Sequence, residues 1–158
     1  MKLDRYGIEV DLPDGWEGRI YRRADGDPTL HAATFALPDD DGDFGARATG
    51  SMGQGQAFVV VTEYDPALAG QGLFAPLGVP KDLRPVDLAP NAMMRPQPGL
   101  MGVQRFFTAS GRALCLYVVV GAMSRLDARS PLNGVNRVLR TVRVVSLDSA
   151  GPGATERL

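Results

Sequence analysis

The stretch Ala-Phe-Val-Val-Val-Thr-Glu-Tyr, from Ala57 to Tyr64, carries the clearest strand signal in this 158-residue chain. β-Branched and aromatic residues favour a strand. A strand with one exposed face alternates apolar and polar residues, whereas three consecutive valines leave neither face polar. We therefore predict that this strand is buried on both faces and lies centrally in a sheet.

Two further strands are predicted nearer the C-terminus, over residues 101–108 and 112–121. The residues between them, Ala109-Ser110-Gly111, suit a tight turn, because Ser-Gly pairs are frequent in short connections. The two strands should therefore form an antiparallel hairpin.

An amphipathic helix of about three turns should follow. Ser130 is a favourable N-cap and Pro131 a favourable first helical residue. Gly134 should weaken the helix by roughly 1 kcal/mol relative to alanine. The apolar residues at helical spacing are Leu132, Val135, Leu139 and Val142. Residues 141–147 then suit a last strand.

The N-terminal region shows strand alternation from Tyr6 to Leu12 and turn chemistry at Pro13-Asp14-Gly15. We predict a hairpin over residues 6–23, anchored in the core by Trp16, and a third strand over residues 30–37. The polar, glycine-rich residues 39–55 should form a loop. These elements predict an α+β class: an antiparallel sheet of hairpins with the C-terminal helix packed on one face. We expect a single domain over residues 1–148 and a disordered tail over residues 149–158.

Residues 66–101 contain seven prolines and cannot form a helix of normal length. A short helical turn is expected near residues 67–73. The apolar side chains of this segment could cover the sheet as a satellite core, or could line an exposed groove for a partner protein. The candidate partner-binding residues of the segment are Phe74, Leu77, Met93 and Met94.

Charge divides the chain into two halves. Residues 1–65 hold six basic and 13 acidic residues, net −7, whereas residues 66–158 hold 11 basic and five acidic residues, net +6. The charges could mix within one fold, or could form opposed surfaces that steer a partner or a second copy. Arg137 and Arg140, on the predicted helix, are therefore candidates for binding an acidic partner.

The residues Tyr-Gly-Ile-Glu-Val-Asp-Leu-Pro-Asp-Gly-Trp, Tyr6 to Trp16, resemble the opening hairpin of the PsbP-like superfamily. That superfamily includes photosystem PsbP subunits, the Ran-binding nucleotide-release factor, DcrB-type proteins and chaperones for type VI secretion effectors. Residues 105–121 followed by 130–145 are similar to its ending. The resemblance implies a non-catalytic protein that works through protein contacts. It transfers no functional residue, and the proline-rich segment departs from the pattern.

Composition excludes several classes of function. A net charge of −1 disfavours a strongly basic nucleic-acid binder. One cysteine and one histidine cannot build a cysteine-based zinc site or a His-rich metal centre. Residues 39–43 are acidic, but Phe44 and Gly50 occupy the EF-hand positions that require Gly and Glu. We therefore expect no metal and no cofactor.

Nothing in the sequence matches a catalytic pattern. The glycine-rich residues 50–55 precede a strand and lack the Gly-Lys-Ser/Thr of a phosphate-binding loop. His31 and Cys115 lie within predicted strands and are interpreted as structural, so no enzyme activity is expected. The longest apolar run, residues 114–120, is too short to span a membrane, and no signal peptide is apparent, so we expect a cytoplasmic protein.

These observations predict a non-catalytic protein-interaction or assembly module, similar to an adaptor or chaperone. Its partner would be another protein or a second copy, with no nucleic acid. The alternative is a small-molecule or lipid-binding domain with an apolar cavity under residues 66–101. A polar cleft that contained His31 and an acidic partner would favour an enzyme instead.

Overall fold

Two antiparallel sheets and two helices make up the fold in the computed structural model, which describes residues 1–23, 26–39, 41–93 and 96–146. The elements in chain order are β1 (Lys2–Arg5), β2 (Ile8–Asp11), β3 (Glu17–Arg22), β4 (Pro28–Ala33), α1 (Ala46–Gly50), β5 (Ala57–Glu63), β6 (Leu100–Ala109), β7 (Arg112–Gly121), α2 (Arg129–Leu139) and β8 (Arg143–Val144). The larger sheet has the order β3-β4-β5-β7-β6, and the smaller has the order β1-β2-β8.

The valine-rich strand β5 lies at the centre of the five-stranded sheet, as predicted. Val59 and Val61 belong to the main core with α2, whereas Phe58 and Val60 belong to a second core on the opposite face. Successive side chains of a strand point to opposite faces, so a strand covered on both sides needs apolar residues at every position.

The C-terminal part confirms the predicted α+β class. Strands β6 and β7 form the expected hairpin, with Ser110 and Gly111 at positive φ in the two-residue turn. Helix α2 packs Leu132, Val135 and Leu139 into the main core. The helix begins at Arg129, one residue before the expected N-cap. The last strand, β8, is shorter than predicted.

The predicted hairpin over residues 6–23 is wrong. Strand β2 pairs with β1 and β8 in the small sheet, whereas β3 pairs with β4 in the large one. The hairpin that does form turns at Tyr6 and Gly7, which have φ values of 52° and 76°. A tight turn with two positive φ angles usually has Asn, Asp or Gly at its first position. Tyr6 at that position gave no turn signal in the sequence.

The irregular regions contain short helical elements. Residues 39–55, expected as a loop, include the five-residue helix α1, and β4 ends at Ala33 rather than at residue 37. The proline-rich segment forms 3₁₀ turns at Pro66–Leu68, Gly72–Phe74, Pro85–Asp87 and Pro90–Ala92. The first of these fits the short helical turn expected there. The predicted tail, residues 149–158, lies outside the described residues.

Candidate functional site

The large apolar side chains of the proline-rich segment divide between the core and the surface. Phe74 and Met93 are each only 6% exposed, so the expectation that they form an exposed docking surface is wrong. The Phe74 ring packs against Tyr64 and Phe106, with centroid distances of 5.4 and 5.3 Å. Leu77, by contrast, is 82% exposed, and Met94 lies outside the described residues.

Hydrogen bonds attach the proline-rich segment to the edge strand β6. Thr108 donates its backbone N–H to the carbonyl oxygen of Pro76 at 2.8 Å and accepts from the N–H of Gly78 at 2.8 Å. Ala89 and Gly102 exchange two further backbone bonds of 2.9 and 3.0 Å. Because an unpaired sheet edge invites pairing with another chain, these contacts protect β6 from edge-to-edge association.

The same segment also packs under helix α2. Asn136 accepts a hydrogen bond from the N–H of Leu83 and donates one to its carbonyl oxygen, both at 2.8 Å. The side chains of Leu83 and Leu88 are buried in the main core. The space that the alternative hypothesis gave to a ligand is thus occupied by the chain's own leucines at these positions.

Helix α2 presents a basic stripe on its outer face. Four exposed residues follow the spacing of one helical face, separated by four, four and three positions: Arg129, Asn133, Arg137 and, immediately after the helix, Arg140. Arg137 and Arg140 are therefore placed on the surface, as expected. Arg140 already donates to the Asp82 carboxylate at 2.8 Å, and both side chains are largely exposed.

A shallow depression of about 410 Å³ lies next to this stripe, at the N-terminal end of α2. Val86 is 60% exposed there and Leu126 is 71% exposed. We call this depression the basic–apolar surface; its lining residues are Arg84, Pro85, Val86, Arg125, Leu126 and Arg129.

The three arginines of the basic–apolar surface have no ion-pair partner among the residues that the structure describes. Within the described part of the chain, no carboxylate lies within 4.0 Å of the guanidinium of Arg84, Arg125 or Arg129. Arg125 donates one hydrogen bond of 3.3 Å to the carbonyl oxygen of Leu88, which holds its side chain over the segment. The sequence did not predict Val86 and Leu126 as site residues, because it does not distinguish an exposed apolar residue from a buried one.

A second groove, of about 430 Å³, crosses the outer face of the small sheet. Its lining holds three positive and three negative side chains. Lys2 lies opposite Asp11, and Glu9 lies between Asp4 and Arg143. Cross-strand pairs of opposite charge stabilise a sheet face modestly. These charges are matched within the groove, in contrast to those of the basic–apolar surface.

His31 is buried on strand β4. Its Nε2 lies 3.2 Å from the carbonyl oxygen of Asp43, which can only accept, so Nε2 carries the proton. Burial lowers the pKa of His31 from 6.5 to about 4, although Asp41 and Asp43 act in the opposite direction. The imidazole is therefore uncharged at neutral pH.

Cys115 lies in β7 and is buried, as expected from its apolar neighbours. Burial raises the pKa of the thiol from 9.0 to about 12, because the thiolate would lose its hydration. A thiol that stays protonated at neutral pH is a poor nucleophile.

The acidic residues near α1 have structural partners. Asp41 accepts hydrogen bonds from the backbone N–H groups of Arg47 and Ala48, at 2.7 and 2.8 Å, and Asp43 pairs with Arg23 at 2.7 Å. Among the residues that the structure describes, no cluster of three or more His, Cys, Asp or Glu side chains is placed to hold a metal ion. No helix in the described ranges has the length and apolar character needed to cross a membrane.

No family model, curated protein or solved structure matches this chain. The resemblance of Tyr6 to Trp16 to the PsbP-like superfamily therefore stays a prediction. The candidate sites rest on the chain's own geometry.

Proposed function

We propose that this protein is a non-catalytic interaction module whose basic–apolar surface binds an acidic segment of a partner protein. The observation that carries the proposal is the arrangement of three arginines, without carboxylate partners in the described chain, around the exposed side chains of Val86 and Leu126. Interfaces of this kind combine an apolar centre with a polar rim.

The two apolar residues give the surface its preference for protein over nucleic acid. Exposed ion pairs contribute about 0–1 kcal/mol each, so arginines alone would bind a partner weakly. Val86 and Leu126 can bury apolar area against a partner side chain, a contact that a phosphate backbone does not offer. With a net charge of −1, the protein also lacks the strong positive field that is typical of nucleic-acid binders.

The partner segment continues from the basic–apolar surface along the helix stripe to Arg137, and this distance sets the length of that part of the segment. Arg129 and Arg137 lie on one face of α2, eight residues apart, so their Cα atoms are separated by about 12 Å along the axis. An extended acidic segment of about four residues covers that distance, at about 3.3 Å per residue. Arg140 contributes less, because Asp82 already neutralises it.

Binding of displayed acidic peptides tests this proposal. The probe is a pool of peptides of about 12 residues that carry alternating acidic and apolar positions; selected peptides are measured by fluorescence anisotropy at two salt concentrations. Replacing both Arg125→Glu and Arg129→Glu should weaken binding about tenfold or more, which corresponds to about 1.4 kcal/mol. Leu126→Ser should weaken it by a similar factor.

Arg22→Glu provides the matched control, because Arg22 is an exposed arginine on β3 that stacks over the Tyr6 ring, away from the basic–apolar surface. It should change the affinity less than twofold, that is, by less than about 0.4 kcal/mol. Equal loss in the control and the double variant would refute a localised site. If duplex DNA competes with the peptides at equal affinity, the partner would be a nucleic acid rather than a protein.

A further inference from the structure

The face of the large sheet that lies away from α2 contains a third, more enclosed depression, of about 210 Å³. It lies between strands β3 and β4 on one side and Leu37, Pro38 and Asp41 on the other. We call it the His31 pocket; its lining residues are Arg19, Tyr21, His31, Leu37, Pro38 and Asp41.

The inner wall of this pocket is aromatic and uncharged. The rings of Tyr21 and His31 meet edge to face, with centroids 5.2 Å apart. Phe58 packs against His31 in the same way, at 5.4 Å. The hydrogen bond from His31 Nε2 to the Asp43 carbonyl fixes the orientation of the imidazole. A wall of this kind favours another aromatic ring, because edge-to-face and offset contacts are attractive.

The charged side chains among the lining residues of the pocket are one cation, Arg19, and one anion, Asp41. To the residues that the structure describes, Arg19 makes two long polar contacts, 3.5 Å to the carbonyl oxygen of Leu37 and 3.6 Å to the exposed carboxylate of Asp39. Asp41 is held by the first turn of α1. Asp39 is fully exposed and lies outside the lining, where Arg19 and Asp41 carry opposite formal charges. The lining therefore favours a ligand without net charge that both accepts and donates hydrogen bonds.

The volume limits the ligand to a small molecule. A water molecule occupies about 30 Å³ in the liquid, so 210 Å³ corresponds to about seven waters. One or two fused rings fit this space, with Leu37 and Pro38 along their sides. We propose that the His31 pocket binds a small, uncharged heteroaromatic compound, independently of the basic–apolar surface.

Nuclear magnetic resonance of the full chain tests this inference, because His31 is the only histidine and its ring signals report directly on the pocket. The probe is indole, titrated to about 2 mM. Benzoate and benzylamine are the negatively and positively charged comparison compounds. We expect a Kd for indole of about 1 mM, which corresponds to about −4.1 kcal/mol. Indole should shift the His31 ring signals in a saturable manner. The two charged compounds should bind at least about fivefold more weakly, a difference of about 1 kcal/mol.

Leu37→Trp should fill the pocket and abolish the indole-induced shift. Leu73→Trp is the matched control, since Leu73 is exposed and lies outside the pocket lining. Three results would overturn the inference: no shift of the His31 signals with indole, tighter binding of benzoate than of indole, or an unchanged indole response in Leu37→Trp.

Discussion

The guanidinium of Arg112 lies against the carboxylate of Glu63 in a two-pronged ion pair, with N–O distances of 2.7 and 2.9 Å. Both side chains are only 3% exposed. Arg112 also donates to the carbonyl oxygens of Tyr6 and Val145, at 2.9 and 3.0 Å. The pair therefore joins the end of β5 and the start of β7 in the large sheet to the β1–β2 turn and to the residue that follows β8 in the small sheet.

Breaking this ion pair from one side should strongly destabilise the fold. Removal of one partner leaves a buried charge uncompensated, so Glu63→Gln and Arg112→Met should each lower the free energy of unfolding by about 3–5 kcal/mol. The double variant Glu63→Leu with Arg112→Met should recover part of that loss. Urea unfolding measures all three; a single variant within about 1 kcal/mol of the unmodified protein would contradict this account.

Phe74 and Leu77 should respond differently to truncation. Phe74→Ala removes a buried ring and should cost about 3–5 kcal/mol of folding free energy. Leu77→Ala removes an exposed side chain and should change stability by less than about 0.5 kcal/mol. Thermal unfolding of both variants compares them directly. Similar losses in the two would show that Leu77 is packed as Phe74 is.

Gly134→Ala should stabilise the protein. Gly134 lies inside α2, and a Cβ added there would meet Trp16 at 3.6 Å, an ordinary van der Waals distance. Alanine favours a helix interior over glycine by about 1 kcal/mol, and the new methyl group would extend the contact with the half-buried indole. Urea unfolding followed by Trp16 fluorescence measures the gain. A loss of stability would mean that the indole cannot accommodate the methyl group.

His31 should make stability depend on pH. Its pKa is lowered to about 4 in the fold, so the unfolded chain binds the proton first as the pH falls. The contribution of His31 to the free energy of unfolding is fully present above about pH 6.5. It decreases between about pH 6.5 and 4, and about 2 kcal/mol is lost by about pH 5. His31→Gln should remove this dependence, and the difference between the two proteins cancels the titration of carboxylates. Identical pH profiles would contradict the prediction.

Cys115 should resist thiol reagents in the native state. Its thiol is buried and its pKa is raised to about 12, so little thiolate forms at neutral pH. Labelling with a bulky maleimide should be slow in buffer and fast in denaturant. Rapid labelling of the native protein would show that β7 opens to solvent.

Local patterns in the sequence determined the core elements. The valine run predicted the central strand β5, because a strand covered on both faces needs apolar residues without alternation. Ser110 and Gly111 predicted the β6–β7 hairpin through turn chemistry that involves only neighbouring residues. The apolar spacing of α2 predicted its buried face for the same reason.

Tertiary structure alone decided which strands pair and which residues remain exposed. An alternating strand such as β2 specifies its faces but not its partner, so its place in the small sheet depends on β1 and β8. The proline-rich segment joins the fold through distant partners: Phe74 is buried because Phe106 packs on it. Val86 and Leu126 form one surface although 40 positions separate them. Such contacts depend on how the whole chain packs, and no local pattern encodes them.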